Sequence, residues 1–183
     1  MKSAIIRKDK AIIVVIDIQE RLLPAMKNKT EIARKAAMLI RGARILGTPI
    51  LVTEQYPKGL GRTVPEIKEA LGEIQPIEKT SFSVLGEPDF LEAFKELNRQ
   101  DVIICGIESH VCVEQSALGF LNQGCRVYIM EDAVGSRSDG DKEVARHRMA
   151  EAGCIGSTVE AALFEMVGDA KDPSFKEISN LIK

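Results

Sequence analysis

Charge of one sign is nearly absent from this sequence. Its 25 Lys and Arg offset 27 Asp and Glu and leave a net charge of −2. A chain so balanced has no global electrostatic reason to bind nucleic acid or an anionic membrane, so neither is expected as a partner. Long apolar runs are missing too. Met1 to Lys10 carries charge but no apolar stretch before a cleavage site, and the run Ala11 to Ile16 is too short for a signal peptide or a membrane span. The expected location is the cytoplasm. Metal-binding spacing is also lacking. Cys105, Cys112, Cys125 and Cys154 form no C-x-x-C pair, and His110 and His147 are the only histidines. In a reducing compartment the default is four free thiols, mostly buried. With no internal repeat, low-complexity segment or linker, residues 1–183 read as one domain.

What is present is an alternation. Apolar runs occur at Ala11–Ile16, Pro49–Thr53, Val102–Gly106 and Cys125–Met130, with weaker ones at Ile74–Glu78 and Cys154–Thr158. The four strong runs are rich in Ile and Val without polar alternation, the pattern of strands covered on both faces in a parallel sheet. Between them lie helical patterns. Ile32, Ala33, Ala36, Leu39, Ile40, Ala43 and Leu46 recur at helical spacing before Gly47. Leu91–Leu97, Val113–Leu121, Val144–Ala152 and Val159–Val167 follow, and Pro173–Ile182 reads as a short terminal helix with Pro173 in its first turn. This order predicts an α/β fold of three layers, α/β/α, around a mostly parallel sheet. Glu54–Pro65, with two Gly and two Pro, predicts a loop over the sheet edge, either a lid or a plain connector.

In open α/β sheets ligands bind outside the carboxyl ends of the strands. Asp17 follows the first apolar run and Lys79 the third. Gly106-Ile107-Glu108-Ser109-His110-Val111 leads from the fourth to Cys112, at the start of a helical pattern. An acid, an amine and a thiol therefore project toward one region. Their chemistry is coherent. A helix N-terminus and a nearby ammonium favour the thiolate. A carboxylate in reach can take the thiol proton and return it to a leaving amine. Backbone N–H groups at the turn can bind an oxyanion. Each residue alone also has a plain reading: a turn or cap for Asp17, a solvated lysine for Lys79, a small buried hydrophobe for Cys112. Their coincidence at three strand ends favours the chemical one.

Three motifs carry a resemblance: VVIDIQ (Val14–Gln19), EKTSFS (Glu78–Ser83) and GIESHVCVEQSALGFLNQG (Gly106–Gly124). Together they resemble the isochorismatase-like cysteine hydrolase superfamily, which includes nicotinamidases and N-carbamoylsarcosine amidase. Thr53–Ile67 and Val167–Lys183 resemble its subgroup of isochorismatase domain-containing proteins. The resemblance implies a sheet of about six strands. It implies a triad in which Asp17 is general base and acid, Lys79 the electrostatic partner and Cys112 the nucleophile of an acyl-enzyme. It also implies a non-proline cis peptide between Ile107 and Glu108, aiming the Glu108 and Cys112 N–H groups at the oxyanion, and a homo-oligomer.

Two departures narrow it. Gln19 stands where a nicotinamidase would carry a metal-binding histidine, so no metal and no other cofactor is expected. Isochorismatases proper act on a vinyl ether without a nucleophilic cysteine, so Cys112 points away from that reaction. Gln19, Tyr56, Phe82 and His110 are candidate pocket residues around a small-molecule substrate. Glu108 is a further pocket candidate besides its oxyanion role. His110 is open to three roles: lining the pocket or shuttling protons, a hydrogen-bonded structural residue, or an interface residue. His147, between Arg146 and Arg148, reads as solvated. Ser136–Gly140 reads as the cap of the following helix. The expected function is a metal-independent hydrolase of a C–N bond in a small amide or ureide. The alternative is a non-catalytic small-molecule-binding or scaffold protein that keeps the fold.

Overall fold

The computed structural model describes residues 4–183. Six strands form one parallel sheet: β1 (Ala11–Ile16), β2 (Ile50–Gln55), β3 (Ile77–Lys79), β4 (Asp101–Ile107), β5 (Arg126–Gly135) and β6 (Ile155–Ser157). Their order is β3-β2-β1-β4-β5-β6. The chain thus steps outward on one side of β1 and then returns to its other side. That reversal makes β1 and β4 a switch point, with a crevice at their carboxyl ends.

β1 shows why the sheet has two covered faces. All six of its residues are buried. Ala11, Ile13 and Val15 join one apolar core, which includes residues of α1 (Lys29–Leu46), α3 (Pro65–Leu71), α7 (Val159–Val167) and α8 (Phe175–Ile182). Ile12, Val14 and Ile16 join the other, which includes residues of α4 (Pro88–Leu97), α5 (Glu114–Asn122) and α6 (Asp139–Ala152). Successive side chains point to opposite faces, so a strand buried on both must be apolar throughout.

Register brings the site residues to one level. Ile16 is paired with Thr53 on one side and Gly106 on the other, and Gln55 is paired with Lys79. Gly106 allows the close approach of β1 and β4. Its φ is +130°, and a Cβ there would lie 2.1 Å from the Ile16 carbonyl oxygen.

Several boundaries differ from the sequence reading. β5 runs on to Gly135, past the Glu131–Asp132 pair that ends the apolar run. Asp132 is engaged inside the fold: it pairs with Lys35 at 3.1 Å and accepts the Val159 N–H. β3 is only Ile77–Lys79. α6 begins five residues earlier than its apolar pattern, at Asp139, where the Ser138 hydroxyl caps it. α8 begins at Phe175, so Pro173 precedes the helix instead of opening it.

The expected loop or lid at Glu54–Pro65 is corrected as well. Glu54 and Gln55 belong to β2, a short helix α2 (Pro57–Leu60) follows, and Pro65 opens α3, which the pattern did not reveal. The segment is tied down along its length. Glu20 and Arg21 donate to the Arg62 and Leu60 carbonyls, Val64 donates to Ile18, and Thr63 bridges Gln19. Glu54, buried, accepts from the Thr63 N–H at 2.6 Å and the Thr63 hydroxyl at 2.8 Å. Among the described residues no helix is long and apolar enough to cross a membrane.

Candidate active site

The crevice holds the three strand-end residues in contact. Lys79 Nζ lies 2.8 Å from Asp17 Oδ2, and both side chains are 0% exposed. It also lies 3.7 Å from Cys112 Sγ. Cys112 is 6% exposed.

Each member is positioned by its own element. Asp17 leaves β1 with a φ of +53°, a left-handed turn, while its N–H donates to the Thr53 carbonyl. The Thr53 hydroxyl donates to Asp17 Oδ1 at 2.7 Å, which fixes the carboxylate plane. Oδ2 takes no aligned hydrogen bond, although it is charge-paired with Lys79. Lys79 ends the edge strand β3 and donates to Gln55 Oε1 at 2.6 Å and to the Ser81 and Phe82 carbonyls at 3.1 and 3.2 Å. Those acceptors offset the loss of water around a buried ammonium. Cys112 lies in a π-helical turn, Ser109–Val113, that enters α5. Its carbonyl accepts the Ser116 hydroxyl at 2.6 Å, and that hydroxyl accepts the Val84 N–H. The Ile107–Glu108 peptide before the turn is cis.

The electrostatics correct one expectation. The Cys112 thiol is pushed up to about 12, first by burial and then by the Asp17 carboxylate, against the opposing pull of Lys79. A helix N-terminus and an ammonium do not prevail here. The cysteine sits inside a π turn, and the ammonium is already neutralised by Asp17. The thiol lies beside the Asp17 carboxylate, whose charge raises its proton affinity.

The other candidates divide. The Gln19 carboxamide is engaged by backbone: it donates to Gln55 and Gly61 carbonyls at 3.0 and 2.7 Å and accepts the Gln55 N–H at 2.7 Å. It braces β2, and the Gln19 N–H donates to the Asp17 carbonyl at 2.9 Å. Tyr56 donates its N–H to the Lys79 carbonyl at 2.9 Å, and the residue is 55% exposed beside a cleft of about 310 Å³ that Lys58, Lys79, Thr80 and Glu87 also line. Phe82 contributes its carbonyl to Lys79 and leaves its ring 53% exposed. The Glu108 carboxylate turns to Arg137, accepting its N–H at 3.0 Å with Nε 3.5 Å away. His110 Nδ1 lies 2.9 Å from the Ser136 hydroxyl and Nε2 4.0 Å from Asp141 Oδ2.

Sequence reading missed Thr53, Gln55 and Ser116. Thr53 and Gln55 stand at the carboxyl end of β2, so the strand-end rule that selected Asp17 would have found them. Ser116 lies one helical turn after Cys112, where a hydroxyl can bond the i−4 carbonyl. No group of three or more His, Cys, Asp or Glu among the described residues is arranged to hold a metal ion. The residues present do not fit such a site, and Gln19 is occupied elsewhere.

With this geometry in view, the likenesses to other proteins have a physical basis. Residues 11–161 match the family model described as the isochorismatase domain. Isochorismatase domain-containing protein 1 of Salmo salar is 44% identical over 91% of this chain, which spans 59% of that protein. Isochorismatase domain-containing protein 2A of Mus musculus is 40% identical over 96% of the chain and 84% of its own length. A solved structure named MAR1 ribonuclease, from Caenorhabditis elegans, superposes with a TM-score of 0.92 at 43% identity, covering 98% of this chain and 92% of that one. Sequence and hydrolase-type fold agree from β1 to α7: the chain belongs to the isochorismatase family.

Proposed function

We propose that the protein is a single-domain cysteine hydrolase that cleaves the C–N bond of a small amide or ureide through an acyl-enzyme on Cys112. The observation that carries this reading is the contact of three buried groups, with Lys79 Nζ 2.8 Å from Asp17 Oδ2 and 3.7 Å from Cys112 Sγ. Sγ attacks the carbonyl carbon while its proton passes to Asp17. The tetrahedral oxyanion is held by backbone N–H groups of Glu108 and Cys112. Asp17 then protonates the departing nitrogen, the C–N bond breaks and a thioester remains. Water attacks the thioester, gives a proton to Asp17, and the C–S bond breaks. The sulfur recovers its proton from Asp17. Lys79, 2.8 Å from Asp17 Oδ2, offsets the carboxylate's charge between proton transfers. Protons and charge are supplied within the trio, so the reaction needs no metal.

The test is a screen of small primary amides and ureides for ammonia or amine release, with Cys112→Ala as control. Release that disappears in the variant supports the proposal. Release undiminished in Cys112→Ala refutes it, and a folded protein inert toward the whole panel favours the binding or scaffold role. RNA, the substrate class in the nematode neighbour's name, belongs in the panel. A chain of net charge −2 offers it little counterion release, and it is expected to stay intact.

A further inference from the structure

β1 ends where the site begins, and one side chain takes over from it. Ile16 is paired with Thr53, and Asp17 then turns away at a φ of +53°. The N–H and carbonyl of Gln55, further along β2, are left without a strand partner on that side, which buried backbone groups require. The Gln19 carboxamide supplies it. It accepts the Gln55 N–H at 2.7 Å and donates to the Gln55 carbonyl at 3.0 Å. Gln19 is fully buried, and its own N–H is bonded to the Asp17 carbonyl. The backbone of Gln55 is therefore tied to the turn that carries Asp17.

The side chain of Gln55 is fixed as firmly. Its Nε2 donates to the Thr80 carbonyl at 2.8 Å, which turns Oε1 toward Lys79 Nζ at 2.6 Å. An ammonium has three N–H donors. Three neutral oxygens accept from Nζ: Gln55 Oε1 and the Ser81 and Phe82 carbonyls at 3.1 and 3.2 Å. Gln55 is the nearest of the three and the one side chain among them. The negative charge facing Lys79 belongs to Asp17, and Cys112 Sγ lies 3.7 Å from the same Nζ. Glu54, the preceding residue, is on the other face of β2, bonded to Thr63 and Arg62.

We infer that Gln55 is a positioning residue for the reaction: a neutral acceptor, locked by Gln19 and Thr80, that holds the Lys79 ammonium between Asp17 and Cys112 without competing for its charge. This role rests on the proposed acyl-enzyme of Cys112. Gln55 acts through Lys79. A carboxylate at position 55 would keep the acceptor but divide the ammonium between two anions and add negative charge near the sulfur.

The test is alkylation of Cys112 by iodoacetamide at pH 8 in wild type, Gln55→Met and Gln55→Glu, each confirmed folded by circular dichroism. The Sγ–C bond forms, iodide leaves and the thiol proton passes to Asp17 and then to solvent. The rate is read by peptide mass spectrometry and divided by that of Cys125 in the same sample. Gln55→Met, which lacks the oxygen, should slow labelling by about threefold, because two carbonyls still hold Nζ. Gln55→Glu should slow it by about tenfold or more, because the added charge opposes the developing thiolate by about one pKa unit. On an amide that is turned over, kcat should fall in the same order while KM stays within about threefold. A purely structural bond predicts the reverse order, since a carboxylate retains the acceptor that methionine lacks. That reverse order, equal labelling in all three proteins, a raised KM with kcat unchanged, or a wild-type Cys112 that takes no label overturns the inference. If the Gln55 variants match wild type while Cys112→Ala abolishes amide turnover, the positioning role falls alone. Turnover intact in Cys112→Ala overturns the acyl-enzyme beneath it.

Discussion

Cys105 and Cys112 sit at opposite ends of one short stretch, the first within β4 and the second in the turn beyond it. Both thiols are pushed up to about 12, and burial is the leading cause for both. Resting proton affinity therefore does not separate a structural thiol from a reactive one. Surroundings do. Cys105 packs in the apolar core with only Asp132 acting on it from a distance. Cys112 has an ammonium at 3.7 Å and the Asp17 carboxylate acting on it at close range. In the proposed mechanism, a proton acceptor and a counter-charge let the second thiol react without being a thiolate at rest.

The largest expected effect tests that contrast directly. Cys112→Ala should lower kcat of an identified amide substrate by about 10⁴-fold or more. Cys105→Ala should leave kcat within about threefold and cost about 1 kcal/mol of stability, from the cavity it opens. Urea unfolding alongside steady-state rates separates the two. Asp17→Asn should come next, reducing kcat by about 10³-fold with a folded near-native spectrum, because the leaving nitrogen loses its proton donor. A kcat within tenfold of wild type would reassign the base.

A third comparison concerns two glycines. A Cβ at Gly106 would strike the Ile16 carbonyl, whereas one at Gly124 meets nothing within 4 Å, although both have positive φ. Gly106→Ala should cost about 3 kcal/mol or more, and Gly124→Ala about 1 kcal/mol, by chemical denaturation. The smallest effect is with pH. Cys105, Cys112 and Cys154 each bind their proton more tightly folded than at the ordinary value of 9.0. Stability from this source is fully present below pH 9 and is lost as pH rises toward about 12. The urea midpoint should fall over that window, and less steeply in Cys105→Ala.

The sequence exposes what repeats or ends abruptly. β1, β2 and β4 are legible because strands covered on both faces must be Ile- and Val-rich, and Asp17 is legible because it breaks such a run, as Lys79 ends the weaker run Ile74–Glu78. β5 is legible only as far as Met130, because Glu131 and Asp132 interrupt its pattern, and Asp132 is accommodated through Lys35 and the α7 N-terminus, partners distant in sequence. α3 is hidden between Pro65 and Gly72, where Ile67, Ala70 and Leu71 are too few to show a period. At the site, the strand-end positions of Asp17, Lys79 and Cys112 are readable and their hydrogen-bonded setting is not. The latter depends on the register that brings Thr53 and Gln55 beside the ion pair and on the π turn that carries Cys112.

The most direct test of the account is rapid-quench mass spectrometry of the protein mixed with a turned-over amide or ureide. A covalent acyl adduct, its mass that of the substrate less the departing amine, is predicted on the peptide bearing Cys112 and absent from Cys112→Ala. An acyl adduct on another residue, or turnover that continues in Cys112→Ala with no adduct in either protein, would contradict it.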